Sequence, residues 1–254
     1  MNFSALDWNI LGPAFIAGLI VLVTHVPLGT QVLDRGIVFI DLAIAQIAGL
    51  GVIAASALGL PEGGFYVQVA AAIAALLGAL LLTWTERRMA HHQEALIGVM
   101  FILAACGGIL LLANNPHGGE HLQDLLVGQI LWVNTSQLFW LGGLSAFIVI
   151  ALWRNWVQKL GRFGFYAIFA LAVTASVQLV GVYLVFSSLI IPALATRGDS
   201  DFKRYRKAYM TGVMGYGLGL TLSAVLDLPS GAVIVWTLAI CGLITSMLSK
   251  KVQP

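Results

Sequence analysis

Apolar residues in this chain come in long runs rather than in alternation. The runs occupy residues 11–30, 38–58, 65–84, 95–113, 138–153, 163–196, 208–226 and 231–248. A half-buried strand alternates apolar and polar positions, and a membrane barrel strand does so over about ten residues. Residues 69–82 (VAAAIAALLGALLL) are instead apolar on every face. Backbone groups immersed in hydrocarbon must be satisfied within their own segment or by closing a barrel, so this pattern predicts helices. A spanning helix needs about 20 apolar residues, and most of the runs reach that length.

Two stretches break the pattern. The run 163–196 is too long for one span and short for two, and Gln178 and Gly181 interrupt it. It is expected to form two short helices joined by a turn close to the outer surface. Residues 125–136 contain Gly128, Gln129 and Asn134 and follow a polar loop. Broken, polar backbone at membrane depth is tolerated only where protein buries it or where it lines a cavity.

Charge then sets class and orientation. Of 254 residues, 59% are hydrophobic and 9% charged, with a mean hydropathy of +0.94. A soluble domain carries about 25% charged residues. The expected fold class is therefore all-α: a polytopic transmembrane helical bundle of eight or nine spans with short broken or re-entrant segments. Residues 1–254 would form a single membrane domain, with lipid as the surrounding partner and no nucleic acid. All 13 Lys and Arg fall on one side of the spans, whereas the opposite loops carry Glu62, Glu120, Asp124 and Asp227. The positive-inside rule makes the basic side cytoplasmic. Nine segments then place the N-terminus outside and the C-terminus inside a bacterial inner membrane. The first Lys or Arg is Arg35, so the first span is expected to insert as its own start signal. Cys106 and Cys241 lie inside apolar runs and are expected to be small buried hydrophobes. Gly78, Gly212, Gly215, Gly217 and Gly219 read as sites of close helix packing.

Candidate chemistry is sparse. There is no Gly-Lys-Ser/Thr phosphate loop and no Gly-x-Ser-x-Gly elbow, so the chain is not expected to hydrolyse ATP or to be an enzyme. The outer loop 114–124 (NNPHGGEHLQD) holds His117, Glu120, His121 and Asp124 within eight residues. Imidazole and carboxylate suit zinc and its neighbours. The segment reads either as an ion-capture loop or as a solvated polar loop. Its His-x-x-Glu-His string matches a protease pattern only as text, because two glycines occupy its centre. His91, His92 and Glu94 form a second, cytoplasmic cluster. Within the membrane, an ionisable or polar group is costly and points to function. Asp41 sits about one turn inside its helix and either acts in a pathway or pairs with Arg35. Gln46 lies deeper, and His25 reads as a packed histidine.

Four segments, in order, carry a resemblance. They are Pro27-Leu28-Gly29 with Arg35 and residues 45–52 (AQIAGLGV); 95–100 (ALIGVM); 124–138 (DLLVGQILWVNTSQL); and 180–197 (VGVYLVFSSLIIPALATR) followed by 219–231 (GLTLSAVLDLPSG). Together they resemble the membrane permease subunits of zinc, manganese and iron ABC importers. The resemblance implies a homodimeric permease working with a cytoplasmic ABC ATPase and a periplasmic metal-binding protein. Zinc or manganese, or a chelate, would be cargo, with no permanently bound cofactor. Asp41, Gln46 and Gln129 would line the path, and His117, Glu120, His121 and Asp124 would receive the ion. Arg154, Lys159, Arg162, Lys203 and Arg204 would contact the ATPase. The chain departs from the family at several points. The family's metal-holding Asp and His fall on Leu42 and Gln46, with Asp41 about 100° round the helix. Gln129 replaces an Asp. The cytoplasmic connection 154–162 is short, so either residues 199–209 dock the ATPase or coupling is altered. An accessory membrane scaffold that has lost metal transport is the alternative reading.

Overall fold

The computed structural model describes residues 6–61, 64–113, 115, 118–154 and 156–249. The chain folds as α1 (Trp8–Arg35), α2 (Ile40–Ala57), α3 (Phe65–Met89), α4 (Gln93–Leu112), α5 (Gly118–Val127), α6 (Thr135–Trp153), α7 (Trp156–Lys159), α8 (Gly161–Val180), α9 (Val182–Ala195), α10 (Asp201–Leu226) and α11 (Ser230–Leu248). Among the described residues there is no strand. Seven apolar helical stretches are long enough to cross a membrane, one of them the 48 residues of Phe65–Leu112. A rise of 1.5 Å per residue would make that stretch about 72 Å long, more than twice the hydrocarbon thickness. It is instead two spans, because Met89 leaves helical geometry (φ −140°, ψ 48°) and a 3₁₀ turn, Ala90–His92, separates α3 from α4. Among the described residues this gives eight helices of spanning length, and the ninth apolar segment forms the shorter α9. Leu77, Leu103 and Met247 turn 60%, 66% and 86% of their surface outward, which only a lipid surround makes favourable.

Helix ends follow the charge pattern. Arg35 closes α1 ahead of Gly36, which takes the left-handed conformation (φ 70°), and Arg87 and Arg88 lie in the last turn of α3. Cations there complement the negative end of the helix dipole. At the outer end of α6, the Asn134 side chain accepts from the Gln137 amide while the Gln137 side chain accepts from the Asn134 amide, a reciprocal cap that satisfies two orphan donors.

The core is built by close approach of α1, α9, α10 and α11. Gly18 faces the Tyr216 ring, Gly29 the Leu189 backbone, Gly212 the Leu22 side chain and Gly215 the Leu238 side chain. The expected packing role of the α10 glycines holds at Gly212, Gly215 and Gly219, and Gly78 packs on Ile47. Pro27 lacks the N–H that would serve the Val23 carbonyl one turn back. The Tyr209 hydroxyl of α10 donates to that carbonyl at 3.2 Å. Tyr216 and Ser188 share a hydroxyl hydrogen bond of 2.8 Å between α10 and α9. Cys241 is buried as expected, but Cys106 is exposed; on the lipid-facing side of α4 it needs no cover, since hydrocarbon accepts it.

The two broken stretches meet each other. The break in 163–196 falls at Gly181 (φ 79°), while Gln178 lies inside α8. The 14 residues of α9 rise about 21 Å, short of the roughly 30 Å of hydrocarbon. The outer polar loop is not a loop over residues 118–127 but the helix α5, which runs toward that joint. Gly128 (φ 72°) sits against the Val180–Gly181 backbone, and a Cβ on either glycine would strike the other's main chain. The Gln129 amide donates to the Leu179 carbonyl at 3.3 Å. Only glycine fits both the positive φ and the contact.

Close approach yields a direct test. Gly29→Ala puts a methyl into the Leu189 backbone oxygen, whereas Gly98→Ala meets nothing within 4 Å. The first variant is expected to lower stability by about 1–3 kcal/mol, read as a drop in the melting temperature of the detergent-purified protein, and the second to leave it unchanged.

Candidate functional site

The outer ends of α2, α3, α4, α6 and α8 enclose a vestibule of about 1460 Å³. Its wall includes Ser56 of α2, Gln68 of α3, Asp124 of α5, Gln129, Trp132, Gln137 and Trp140 around the start of α6, and Gln178 of α8. Three of its lining residues, Ile53, Leu125 and Val177, also line a much smaller void of about 10 Å³ bounded by Gln46, Gly49, Leu122 and Val182. That void holds about one water. Gln46 thus lies beside a small void that adjoins the vestibule wall.

Toward the opposite end of the bundle lie large buried side chains. Ile40, Ile44, Leu82, Ile97, Phe165, Tyr166 and Phe169 are all buried to within 1% of full burial. Among them lies Asp41, 1% exposed. Neither of its oxygens has a hydrogen-bond partner of good geometry; only amides at the start of its own helix lie nearby. It does not pair with Arg35, whose guanidinium stacks instead 4.1 Å over the Phe165 ring. Stacking keeps a planar cation satisfied without a counter-ion and leaves the Asp41 carboxyl group without a partner. The positive end of the α2 dipole is its nearest favourable field. Nearby, Gln93 donates to the Leu82 carbonyl at 3.2 Å and to the Tyr166 hydroxyl at 3.3 Å. Glu94 accepts from the Phe39 amide at 3.4 Å, while His91 and His92 are exposed.

Gln129 and Asp124 therefore face the vestibule, Gln46 the small void beside it, and Asp41 lies among the large buried side chains. Glu120 is exposed on α5, one turn before Asp124. The backbone of His121 belongs to α5, its side chain is not among the described groups, and His117 lies outside the described residues. Among the described residues no three His, Cys, Asp or Glu side chains converge as a metal site. His25 is buried, its Nδ1 2.9 Å from the Val21 carbonyl and 3.0 Å from the Thr24 hydroxyl, while its Nε2 has no partner. Sequence reasoning missed Gln68, Gln137, Gln178, Trp132 and Trp140 as wall residues. The available signals were Gln68 and Gln178, carboxamides inside apolar runs.

On the cytoplasmic face, Arg154, Lys159, Arg162 and Lys203 are exposed, and the short connection folds as the single turn α7. Arg204 points inward instead, its side chain 14% exposed and 3.2 Å from Asp34 of α1. Residues 201–209 are the inner end of the spanning helix α10 rather than a separate docking element. Lys207 donates to Asp199 at 2.9 Å and to Ser249 at 2.9 Å, and Ser249 donates to Asp199 at 2.9 Å. The hydrogen bond from Lys207 holds the Asp199 carboxyl below the usual carboxylate range against the opposing effect of burial, with Ser249 adding to it.

The profile of the ABC 3 transport family matches residues 7–160 and 156–249. The chain belongs to that family. It is a multi-pass inner-membrane permease of the ABC transporter class, a transport subunit and not a catalytic enzyme. The chain is similar to the high-affinity zinc uptake system membrane protein ZnuB of Haemophilus influenzae, 24% identical over 90% of this chain and 93% of that protein. It is also similar to the manganese transport system membrane protein MntC of Halalkalibacterium halodurans, 25% identical over 91% of this chain and 84% of the relative. Its fold is that of a chain of PsaBC from Streptococcus pneumoniae, solved in complex with Fab, with a TM-score of 0.77, 22% identity, and coverage of 96% of this chain and 94% of the other.

Two measurements check this geometry. In a background lacking Cys106 and Cys241, cysteines at Gln129 and Trp132 are expected to react with a membrane-impermeant maleimide added outside. A cysteine at Lys203 is expected to react only from the inside, and labelling in the reverse sense would overturn the orientation. The lowered Asp199 carboxyl stabilises the fold at pH values above the unfolded value of about 3.9, and this stability is lost as pH falls through the folded value. Asp199→Asn is therefore expected to lower the melting temperature at pH 7, by about 1–2 kcal/mol of stability, with the gap to the parent closing below pH 4.

Proposed function

We propose that this permease imports a divalent transition metal, zinc or manganese, as the ion or as its chelate, driven by a separate cytoplasmic ABC ATPase. A periplasmic metal-binding protein would deliver the cargo to the vestibule, and two copies of the chain would form the working unit. The observation that carries this reading is a wide vestibule at one end of the bundle, adjoining a small void at Gln46, with large buried side chains toward the other end. One open end and one closed end are what alternating access requires of each resting state. Asp124, Glu120, His117 and His121 would collect cations at the mouth, Gln129 and Gln46 would line the route, and Asp41 would lie on its continuation toward the cytoplasm. The zinc and manganese systems named among its relatives support the choice of metals. Arg154, Lys159, Arg162 and Lys203 would meet the ATPase through α7 and the start of α10. Arg204 would act indirectly, tying α10 to α1.

A second reading is supported by Leu42 and Gln46, which stand where the resembled permeases carry metal ligands. The chain would then be an accessory membrane subunit without transport. Uptake of radioactive zinc and manganese by metal-starved cells with and without the gene separates the two readings. Gene-dependent uptake is expected, together with copurification of an ATPase subunit. Absence of any metal-dependent difference would remove the transport reading. Within an active transporter, Asp41→Asn is expected to reduce uptake at least tenfold while leaving the amount of protein in the membrane unchanged.

A further inference from the structure

We infer that the bundle consists of two rigid groups of helices that rock against each other across the vestibule, with Arg35 on Phe165 latching the seam at the basic end. This rests on the import reading above and names the moving parts. Packing divides the helices. α1 packs on α6, α9 and α10, and α11 packs on α9 and α10, whereas α2 packs on α3, α4 and α8, and α8 packs on α3. The vestibule lies between these groups. One wall comes from α2, α3, α4 and α8, and the other from residues between 132 and 144 at the start of α6.

Side-chain bonds respect the division. In the first group Thr30 of α1 meets Tyr205 of α10 at 3.3 Å, Arg204 meets Asp34 at 3.2 Å, Ser188 meets Tyr216 at 2.8 Å and Thr211 meets Thr245 at 2.7 Å. In the second, Gln93 bonds Leu82 and Tyr166, Arg162 lies 3.9 Å from Glu86, and Glu94 accepts from the Phe39 amide at the head of α2. Among the described residues of α1–α4, α6 and α8–α11, no side-chain hydrogen bond or ion pair joins one group to the other. Hydrogen bonds hold one geometry, whereas apolar contact is non-directional and tolerates sliding. Arg35 of α1 does cross the seam, 4.1 Å over the Phe165 ring of α8. The connections agree. The chain passes between the groups at residues 36–39, 128–134, 154–161 and 181. Each passage carries a glycine of positive φ: Gly36 (70°), Gly128 (72°), Gly161 (64°) and Gly181 (79°). Among the described residues two more, Gly59 and Gly198, lie in turns inside a group. At Gly36 and Gly161 a Cβ would meet nothing within 4 Å, so the backbone angle and not space calls for glycine. Hinges sit at such helix ends, where a few residues absorb the change in φ and ψ. Rocking about these points narrows the vestibule as it parts the seam at Arg35, so that access alternates between the two ends.

The test places pairs of spin labels on the purified full chain in nanodiscs, in a background lacking Cys106 and Cys241. Tyr66→Cys with Phe139→Cys spans the groups at the vestibule end, and Arg88→Cys with Trp153→Cys spans them at the basic end. Met210→Cys with Met247→Cys stays within one group. All six side chains are exposed. Arg35→Ala, and independently Phe165→Leu, is expected to shift the ratio of the two inter-group distances about tenfold, the loss of one good contact. The basic-end pair lengthens and the vestibule pair shortens, while the within-group pair stays fixed. Inter-group distances that are single and unmoved in both variants, or a within-group distance that moves as far, overturn the inference. In metal-starved cells, a membrane-permeant linker matched to the shorter basic-end distance then joins the Arg88→Cys and Trp153→Cys pair. Gene-dependent uptake of radioactive zinc or manganese is expected to fall at least tenfold, whereas linking the within-group pair leaves it unchanged. Full uptake through the linked chain overturns rocking and leaves the import reading standing. No gene-dependent uptake by the unlinked parent overturns the import reading, and the measured distances still decide the rocking.

Discussion

Hydrocarbon offers no hydrogen bonds, so every amide and carbonyl at membrane depth must find its partner inside the protein. That constraint makes the chain helical. It also dictates the most irregular part of the fold. Where α8 stops at Val180 and α5 stops at Val127, two helix ends are left inside the bundle. They are resolved by each other: Gly128 and Gly181 bring the two main chains into contact, and the Gln129 amide finds the Leu179 carbonyl. The same need explains Tyr209, whose hydroxyl serves the carbonyl that Pro27 leaves open in α1.

Function follows from where this bookkeeping leaves space. The α5–α9 joint keeps irregular, polar backbone in the outer half, beside the carboxamide and tryptophan wall of the vestibule. In the inner half, regular helices pack through large side chains such as Tyr166 and Phe169. The outcome is an asymmetric bundle, with a wide vestibule at one end and large buried side chains toward the other. Asp41 is the exception there. A buried carboxyl without a partner costs several kcal/mol where nothing compensates it, so Asp41 does not contribute to stability.

Much of this was legible one residue at a time. Span number and the two broken stretches could be read from runs of apolar residues, because lipid immersion acts on local composition. The packing role of Gly212 and Gly215 was legible for the same reason. Pairings were not. Asp41 was offered Arg35 by proximity along the chain, but Arg35 turns to Phe165; Arg204 was offered to a cytoplasmic partner, but it turns to Asp34. Cys106 was expected to be covered, yet in lipid an apolar surface needs no cover.

By itself, the sequence determined that this protein is a multi-pass helical membrane protein with two irregular stretches among its apolar runs. These properties depend on the solvent around each segment, and a segment carries that information in its own composition. Only the tertiary structure decided that the two irregular stretches are one joint, that Gln68, Gln129, Gln137 and Gln178 share a wall, and that Asp41 is buried without a partner. Those facts depend on which helix faces span a common space. Residues far apart in the chain converge there through packing, and no local pattern records the convergence.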